Sequence, residues 1–327
     1  MNHSEGRAAS SWKNAFLQTP GPRTRAEAAI LYLKGVCMGS ADIVPGVSGG
    51  TIALITGIYG DLLDAIKSID LKAARALARL DVTAFLAEVH LRFLIVLLAG
   101  IGTALVSLAR LMNYLLEQQP VPTWGFFLGL VGASILIIGR KIEHWPGSGG
   151  LFFLGGTVAA YLLVGLIPVT TPEAPWFIVL SGMIAICAMI LPGISGSFLL
   201  LIFGKYQFIT AALRNPVDPH NLGILALFTS GCVVGILGFS RLLSFLLHRF
   251  HNPTMALLTG LMCGSLRKVW PWKEVLQTVT VRGKVHVLRD ANVLPAAVDT
   301  TLLLTVLLAL AGFGLVLLLE RTAADRA

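Results

Sequence analysis

The sequence predicts an all-α polytopic membrane protein made of two inverted-topology repeats, each a re-entrant helical hairpin followed by three transmembrane helices. Three observations predict it. The 327 residues are 55% hydrophobic and only 13% charged, with a mean hydropathy of +0.79, whereas a soluble domain carries about 25% charged residues. A short phrase occurs twice inside long apolar stretches, as Pro45-Gly46-Val47-Ser48-Gly49-Gly50-Thr51 and as Pro192-Gly193-Ile194-Ser195-Gly196-Ser197-Phe198. The correspondence then continues along the chain in one order, which is the mark of an internal duplication. At one offset Gly57 meets Gly204 and Tyr59 meets Tyr206; at a second, Gly100 meets Gly231, Arg110 meets Arg241, Pro122 meets Pro253 and Gly129 meets Gly260.

The elements follow in order. Residues 1–28 are polar and mixed in charge, and read as a cytoplasmic tail without the apolar core of a signal peptide, so the first apolar segment is its own insertion signal. Repeat 1 covers 29–168: an interrupted apolar stretch at 29–66 broken at Pro45-Gly46, a charged amphipathic piece at 67–92, then apolar segments Phe93–Leu116, Trp124–Ile138 and Leu151–Ile167. Repeat 2 covers 169–320: a broken stretch at 176–213, then Leu222–Leu247, Met255–Leu266 and Thr301–Leu319, with a polar insert at 267–295. Alternation from Thr278 to Val287 around Arg282-Gly283 makes that insert a small β-hairpin. Residues 321–327 are a second cytoplasmic tail.

Parity sets the topology. If each broken stretch enters and leaves on one side, each repeat has three spans and the halves are inverted. The basic residues of 67–92 then share the cytoplasm with Arg7, Lys13, Arg23 and Arg25, as the positive-inside rule prefers. The insert, rich in basic residues, falls outside and goes against that rule.

The repeated phrase carries the chemistry. Proline and glycine break a membrane helix and free backbone N–H groups at the next helix start, where they and the helix dipole attract an anion. Glycines at 46, 49, 50, 193 and 196 let a ligand approach the backbone, and Ser48, Thr51, Ser195 and Ser197 add hydroxyls. The plainer reading is a pair of tight hairpin tips packed on their neighbours. Arg110 and Arg241 lie at equivalent positions in apolar runs, where a central arginine costs about 2.5–3.5 kcal/mol. They either neutralise a phosphate or snorkel to the interface. Asp42 is the clearest acid inside an apolar segment; its repeat partner is Met189. It pairs with Lys34 or a backbone group as structural glue, or it carries a coupling proton or cation. Tyr59 and Tyr206 read as interfacial anchors.

Composition also excludes. The net charge of +8 follows loops and tail rather than a nucleic-acid surface, the four cysteines lie singly in apolar segments, and no spacing of histidines matches a metal site. No cofactor is expected beyond a coupling proton or cation.

On Lys34–Thr51, with Asp42 and the Pro-Gly-Val-Ser-Gly-Gly-Thr phrase, and on the second phrase Pro192–Ser197, the chain resembles the polyprenyl-phosphate transporter family over roughly 29–319. The resemblance implies a multi-pass protein of the bacterial plasma membrane that returns undecaprenyl phosphate from the outer to the cytoplasmic leaflet, the lipid and the bilayer being its partners. Membrane undecaprenyl-diphosphate phosphatases offer a rival resemblance, through a Pro-Gly-x-Ser-Arg-Ser-x-x-Thr loop and a Glu-x-x-x-Glu helix. Here Gly49 and Gly196 stand at the arginine position and no such glutamate pair lies in an apolar segment. The cradle is kept and the groups expected to drive hydrolysis are missing, so an enzyme is not expected. An ion-coupled small-anion carrier is the third alternative.

Overall fold

The computed structural model describes residues 12, 14–43, 47–142, 149–169, 171–281 and 284–324. Helix α1 (Arg25–Ile43) runs to the first tip, and α2 (Gly49–Ile55) turns back from it. A bend of 117° leads into α3 (Tyr59–Lys67). The charged piece forms two short helices, α4 (Leu71–Ala78) and α5 (Val82–Glu88), whose starts are capped by the carboxylates of Asp70 and Asp81. Next come α6 (Leu91–Ser107), α7 (Ala109–Gln118), α8 (Pro120–Arg140) and α9 (Gly149–Leu163).

The second half opens with a similar series. Helix α10 (Pro175–Ile190) runs to the second tip, α11 (Gly196–Ile202) turns back, and a 109° bend leads to α12 (Tyr206–Arg214). Then follow α13 (Pro219–Arg249), α14 (His251–Val269), the antiparallel strands β1 (Lys273–Val281) and β2 (Lys284–Asn292), and α15 (Thr300–Ala324).

Both bends turn on a glycine at the same place in its half. Gly57 has φ +74° and Gly204 φ +64°, a left-handed backbone that a β-carbon disfavours. The repeated glycines elsewhere let helices touch. A β-carbon on Gly39 would fall 2.6 Å from Ile101 O across the α1–α6 pair, and one on Gly235 would fall 2.6 Å from Met183 O across α10–α13. Gly129 and Gly312 meet α15 and α8, while Gly156, Gly260 and Gly264 join α9 and α14. Small residues bring helices together where lipid supplies no hydrophobic drive.

The pairing has a reciprocal pattern. Within each half, the helix before the tip packs on the first long helix after it, α1 on α6 and α10 on α13. Between halves, α8 packs on α15, α9 on α14, and α8 meets α14. The core lies under both tips and includes Val47, Ile52, Ile55, Leu97, Val131, Ile137, Ile190, Ile194, Phe198, Leu258 and Met262.

The architecture is that of an all-α multi-pass membrane protein with one β-hairpin. Among the described residues three helices are long and apolar enough to cross a bilayer, Pro120–Arg140, Pro219–Arg249 and Thr300–Arg321, or up to six if each bent pair is one span. Two details differ from expectation. Phe93–Leu116 is not one helix: it breaks at Leu108, and α7 carries a polar face. The hairpin is longer than the alternation announced, because Lys273 to Val275 pair with Asn292 to Asp290 beyond it.

Candidate lipid-phosphate site at two facing hairpin tips

The two tips touch. Ser48 Oγ donates toward Met189 O and Leu191 O, each at 3.2 Å, at the end of α10. In return Gly193 N–H donates to Thr51 Oγ1 at 3.0 Å. Tyr59 O–H donates to Ile190 O at 2.9 Å. Gly50 lies so close to the end of α10 that a β-carbon would fall 2.6 Å from Ile190 O. Gly193, at φ +86°, packs against Met262 and Ser265 of α14. Thr51 is wholly buried, and Ser48 and Tyr59 are nearly so. Tyr59 is therefore no interfacial anchor: its ring fills the core and its hydroxyl satisfies a carbonyl left open where α10 ends. Tyr206 stays exposed.

The tips differ in how their backbone N–H groups are satisfied. At the first, Asp42 Oδ1 accepts from Gly49 N–H at 2.7 Å, Ser48 Oγ from Gly50 N–H at 3.1 Å, and Ser48 O from Thr51 N–H at 2.9 Å. Asp42 thus has the backbone-pairing geometry, an acid at a helix start. Lys34 Nζ donates to Thr56 O at 2.7 Å, where α2 ends. At the second tip Met189 stands where Asp42 does and supplies no charge. Ser195 does not cap α11 with its side chain; its hydroxyl bonds that of Ser197 at 2.8 Å. The N–H groups of Gly196, Ser197 and Phe198 have no acceptor among the described residues. One tip carries a built-in anion and the other offers free donors. Pro45 and Gly46 lie outside the described residues; Pro192 and Gly193 complete the second tip.

Arg110 and Arg241 are not joined to the tips. Both are exposed; Arg241 Nη1 donates to Leu237 O on its own helix at 2.7 Å. After the Ala73 N–H, and with Lys72, the Arg241 charge helps hold Asp70 below the usual carboxylate range. Arg110 lies just past the α6–α7 break and has no bonded partner among the described residues.

Sequence reasoning missed two groups and misplaced a third. Arg92 is buried and donates to the carbonyls of Leu17, Thr19 and Pro22, tying down the N-terminal segment. Lys205 is buried beside the second bend, donating to Thr171 O at 2.9 Å with Phe177 and Phe208 against it. A lysine inside the apolar run of the second phrase was the available signal. Tyr59 is the third. Two cavities flank the first hairpin: one of about 570 Å³ bordered by Lys34, Asp61, Asp64 and His90, and one of about 390 Å³ bordered by Tyr59, Lys141, Ser244 and His248. Among the described residues no cluster suited to a metal ion occurs.

Comparison with known proteins gives the family. The model of the undecaprenyl phosphate translocase-like family matches residues 38–286, which include both tips. The polyprenyl-phosphate transporter of Vibrio cholerae is 42% identical over 299 residues, covering 89% of this chain and 96% of its own. That of Staphylococcus aureus is 35% identical over 258 residues, covering 74% and 86%. No solved structure matches. The chain belongs to the polyprenyl-phosphate transporter family.

Proposed function

We propose that the protein carries polyprenyl phosphate, undecaprenyl phosphate in particular, from the outer to the cytoplasmic leaflet of the bacterial plasma membrane, with both termini cytoplasmic. The observation that carries the reading is the contact between the tips: Ser48, Thr51 and Tyr59 of the first bond the backbone of the second at a buried junction between the halves. The reciprocal packing supports two inverted repeats, each a re-entrant hairpin with three spans, which rock about that point to expose it to either side.

The phosphate binds first at the second tip. The N–H groups of Gly196, Ser197 and Phe198 and the hydroxyls of Ser195 and Ser197 meet its oxygens, while the prenyl tail stays in lipid. At the first tip the Asp42 carboxylate already holds the equivalent donor of Gly49. A phosphate reaches that tip only if the carboxylate yields, and a carboxyl group yields most readily when protonated. Inward movement of an anion opposes an inside-negative potential by about 2.3 kcal/mol per charge per 100 mV. A phosphate monoester, with its second pKa near ~6, sheds charge by taking a proton. Proton transfer through Asp42 joins the two requirements, with Lys34 about two turns earlier on the same helix. Arg110 and Arg241 draw the headgroup toward the site, one from each leaflet.

The phosphatase alternative needs the loop arginine and the glutamate pair of that family, and here Gly49 and Gly196 stand at the arginine position. The test is direct. Purified protein is incubated with undecaprenyl diphosphate and released phosphate is measured; turnover at an enzyme's rate would replace the transporter by a phosphatase. In cells, removal of the protein should raise outer-leaflet undecaprenyl phosphate.

A further inference from the structure

The β-hairpin insert builds a second cation-rich site that the tip chemistry does not use. Its strands are fastened to the end of α14. Asn292 Nδ2 donates to Arg267 O at 2.9 Å, Lys273 Nζ to Lys268 O at 2.8 Å, and Trp270 Nε1 to Val293 O at 2.8 Å. The first two bonds satisfy carbonyls that the helix end leaves open, and the docking gathers three cations. Arg267 lies flat on the Tyr161 ring, 4.4 Å from its centroid, and donates to Tyr161 O at 3.0 Å. Lys268 and Lys273 reach the same oxygen of Asp290, at 3.8 Å and 3.2 Å. Two lysines thus share one carboxylate, and Arg267 stands on the same helix end. Burial alone raises the Asp290 carboxyl, but the charges of Lys268 and Lys273 outweigh it and hold the group below the usual carboxylate range. Burial first, then Lys268, pushes the Lys273 ammonium down despite Asp290.

Arg267, Lys268 and Asp290 of this cluster border a cavity of about 210 Å³ that Phe198 and Leu201 of α11 also line, with Lys273 reaching it through Asp290. Lys268 Nζ stands 5.1 Å from the centroid of the Phe198 ring, and the Phe198 N–H is one of the free donors at the second tip. Phe198 thus belongs to both places, its ring to the cavity and its N–H to the second tip.

We propose that Arg267, Lys268 and Lys273 form a capture site for the phosphate monoester headgroup of a lipid in the outer leaflet, with Asp290 as the built-in counter-ion that the headgroup displaces. The proposal rests on the inward-transport reading above. It also gives a reason for the one loop that goes against the positive-inside rule: its charge is held outside for a ligand. A site met before the transport step sets how much lipid is needed and leaves the rate at saturation alone.

The experiment measures transport of undecaprenyl phosphate into proteoliposomes against lipid content, for the wild type, Lys268→Gln, Lys273→Gln and Asp290→Asn. Each lysine variant should raise the half-saturating lipid content by about tenfold, as loss of one charge-assisted contact implies, with the maximal rate unchanged. Asp290→Asn should lower it, an outcome that misfolding does not mimic. Unchanged half-saturation in all three variants beside an active wild type would overturn the capture site and leave the transport reading standing. A wild type that moves no polyprenyl phosphate would overturn the transport reading itself. Inorganic phosphate is the second probe: competition at concentrations as low as those of the lipid would mean a free-phosphate site and overturn the lipid assignment.

Discussion

Thr51→Val tests whether the tips are held together by the bond across them. Valine matches threonine in shape and removes only Oγ1, the acceptor of Gly193 N–H at 3.0 Å. Thr51 is fully buried, and Gly193 at φ +86° is wedged against Met262, so its N–H is not free to turn to another acceptor. A buried donor left unsatisfied costs about 1–3 kcal/mol. The bond joins residues of opposite halves and exists only while the tips touch, so the whole loss falls on the closed arrangement. That shifts its equilibrium with an opened one by about 5- to 150-fold. The assay is thermal unfolding of purified protein in detergent beside Thr51→Ser, which keeps the oxygen. The midpoint should fall by roughly 2–4 °C per kcal/mol in the valine variant and hold near wild type in the serine variant. Valine and serine variants that melt alike would refute the argument.

Other expectations concern charge and space. Asp42→Asn keeps an oxygen for Gly49 N–H, so lipid binding should persist while proton-driven uptake in proteoliposomes falls; unchanged driven uptake retires the coupling role. Arg110→Ala and Arg241→Ala should each cut transport toward the level of deletion, and activity retained in both removes the arginines from the path. Gly50→Val would force a side chain into Ile190 O and should abolish transport with loss of thermal stability, whereas a well-folded, active variant would mean the tips separate at rest. Asp290 is held below its ordinary pKa of about 3.9, so it contributes stability above that value and loses it as pH falls further. Fluorescence of the paired Trp270 and Trp272 should therefore change on acidification below about pH 4, and Asp290→Asn should remove that change.

Much of this was legible because the phrase breaks a rule of its surroundings. Proline, glycine and serine inside apolar runs announce a helix break, and the bends fall at Gly57 and Gly204, two glycines that the sequence pairs. The unequal chemistry of the tips was written in one mismatch, Asp42 against Met189. Its meaning needs the fold, because only there does the carboxylate meet Gly49. The arginines show the opposite failure. Depth in an apolar run is not depth in the protein: α6 ends at Ser107 before Arg110, and Arg241 turns its guanidinium to its own helix rather than to the tips. Tyr59 looked interfacial for the same reason, since a tyrosine near a segment end points either way until its neighbour is known. Strand alternation revealed the insert, but its docking onto the end of α14 depends on bonds from Lys273 and Asn292 that no period predicts.

Purified protein in proteoliposomes, with undecaprenyl phosphate in the outer leaflet and an inward proton gradient, tests the central claim most directly. Wild-type protein should move the lipid to the inner leaflet, and a variant with Ser195 and Ser197 both replaced by alanine should move it far more slowly. Equal movement by that variant, or none by the wild type, would contradict the account.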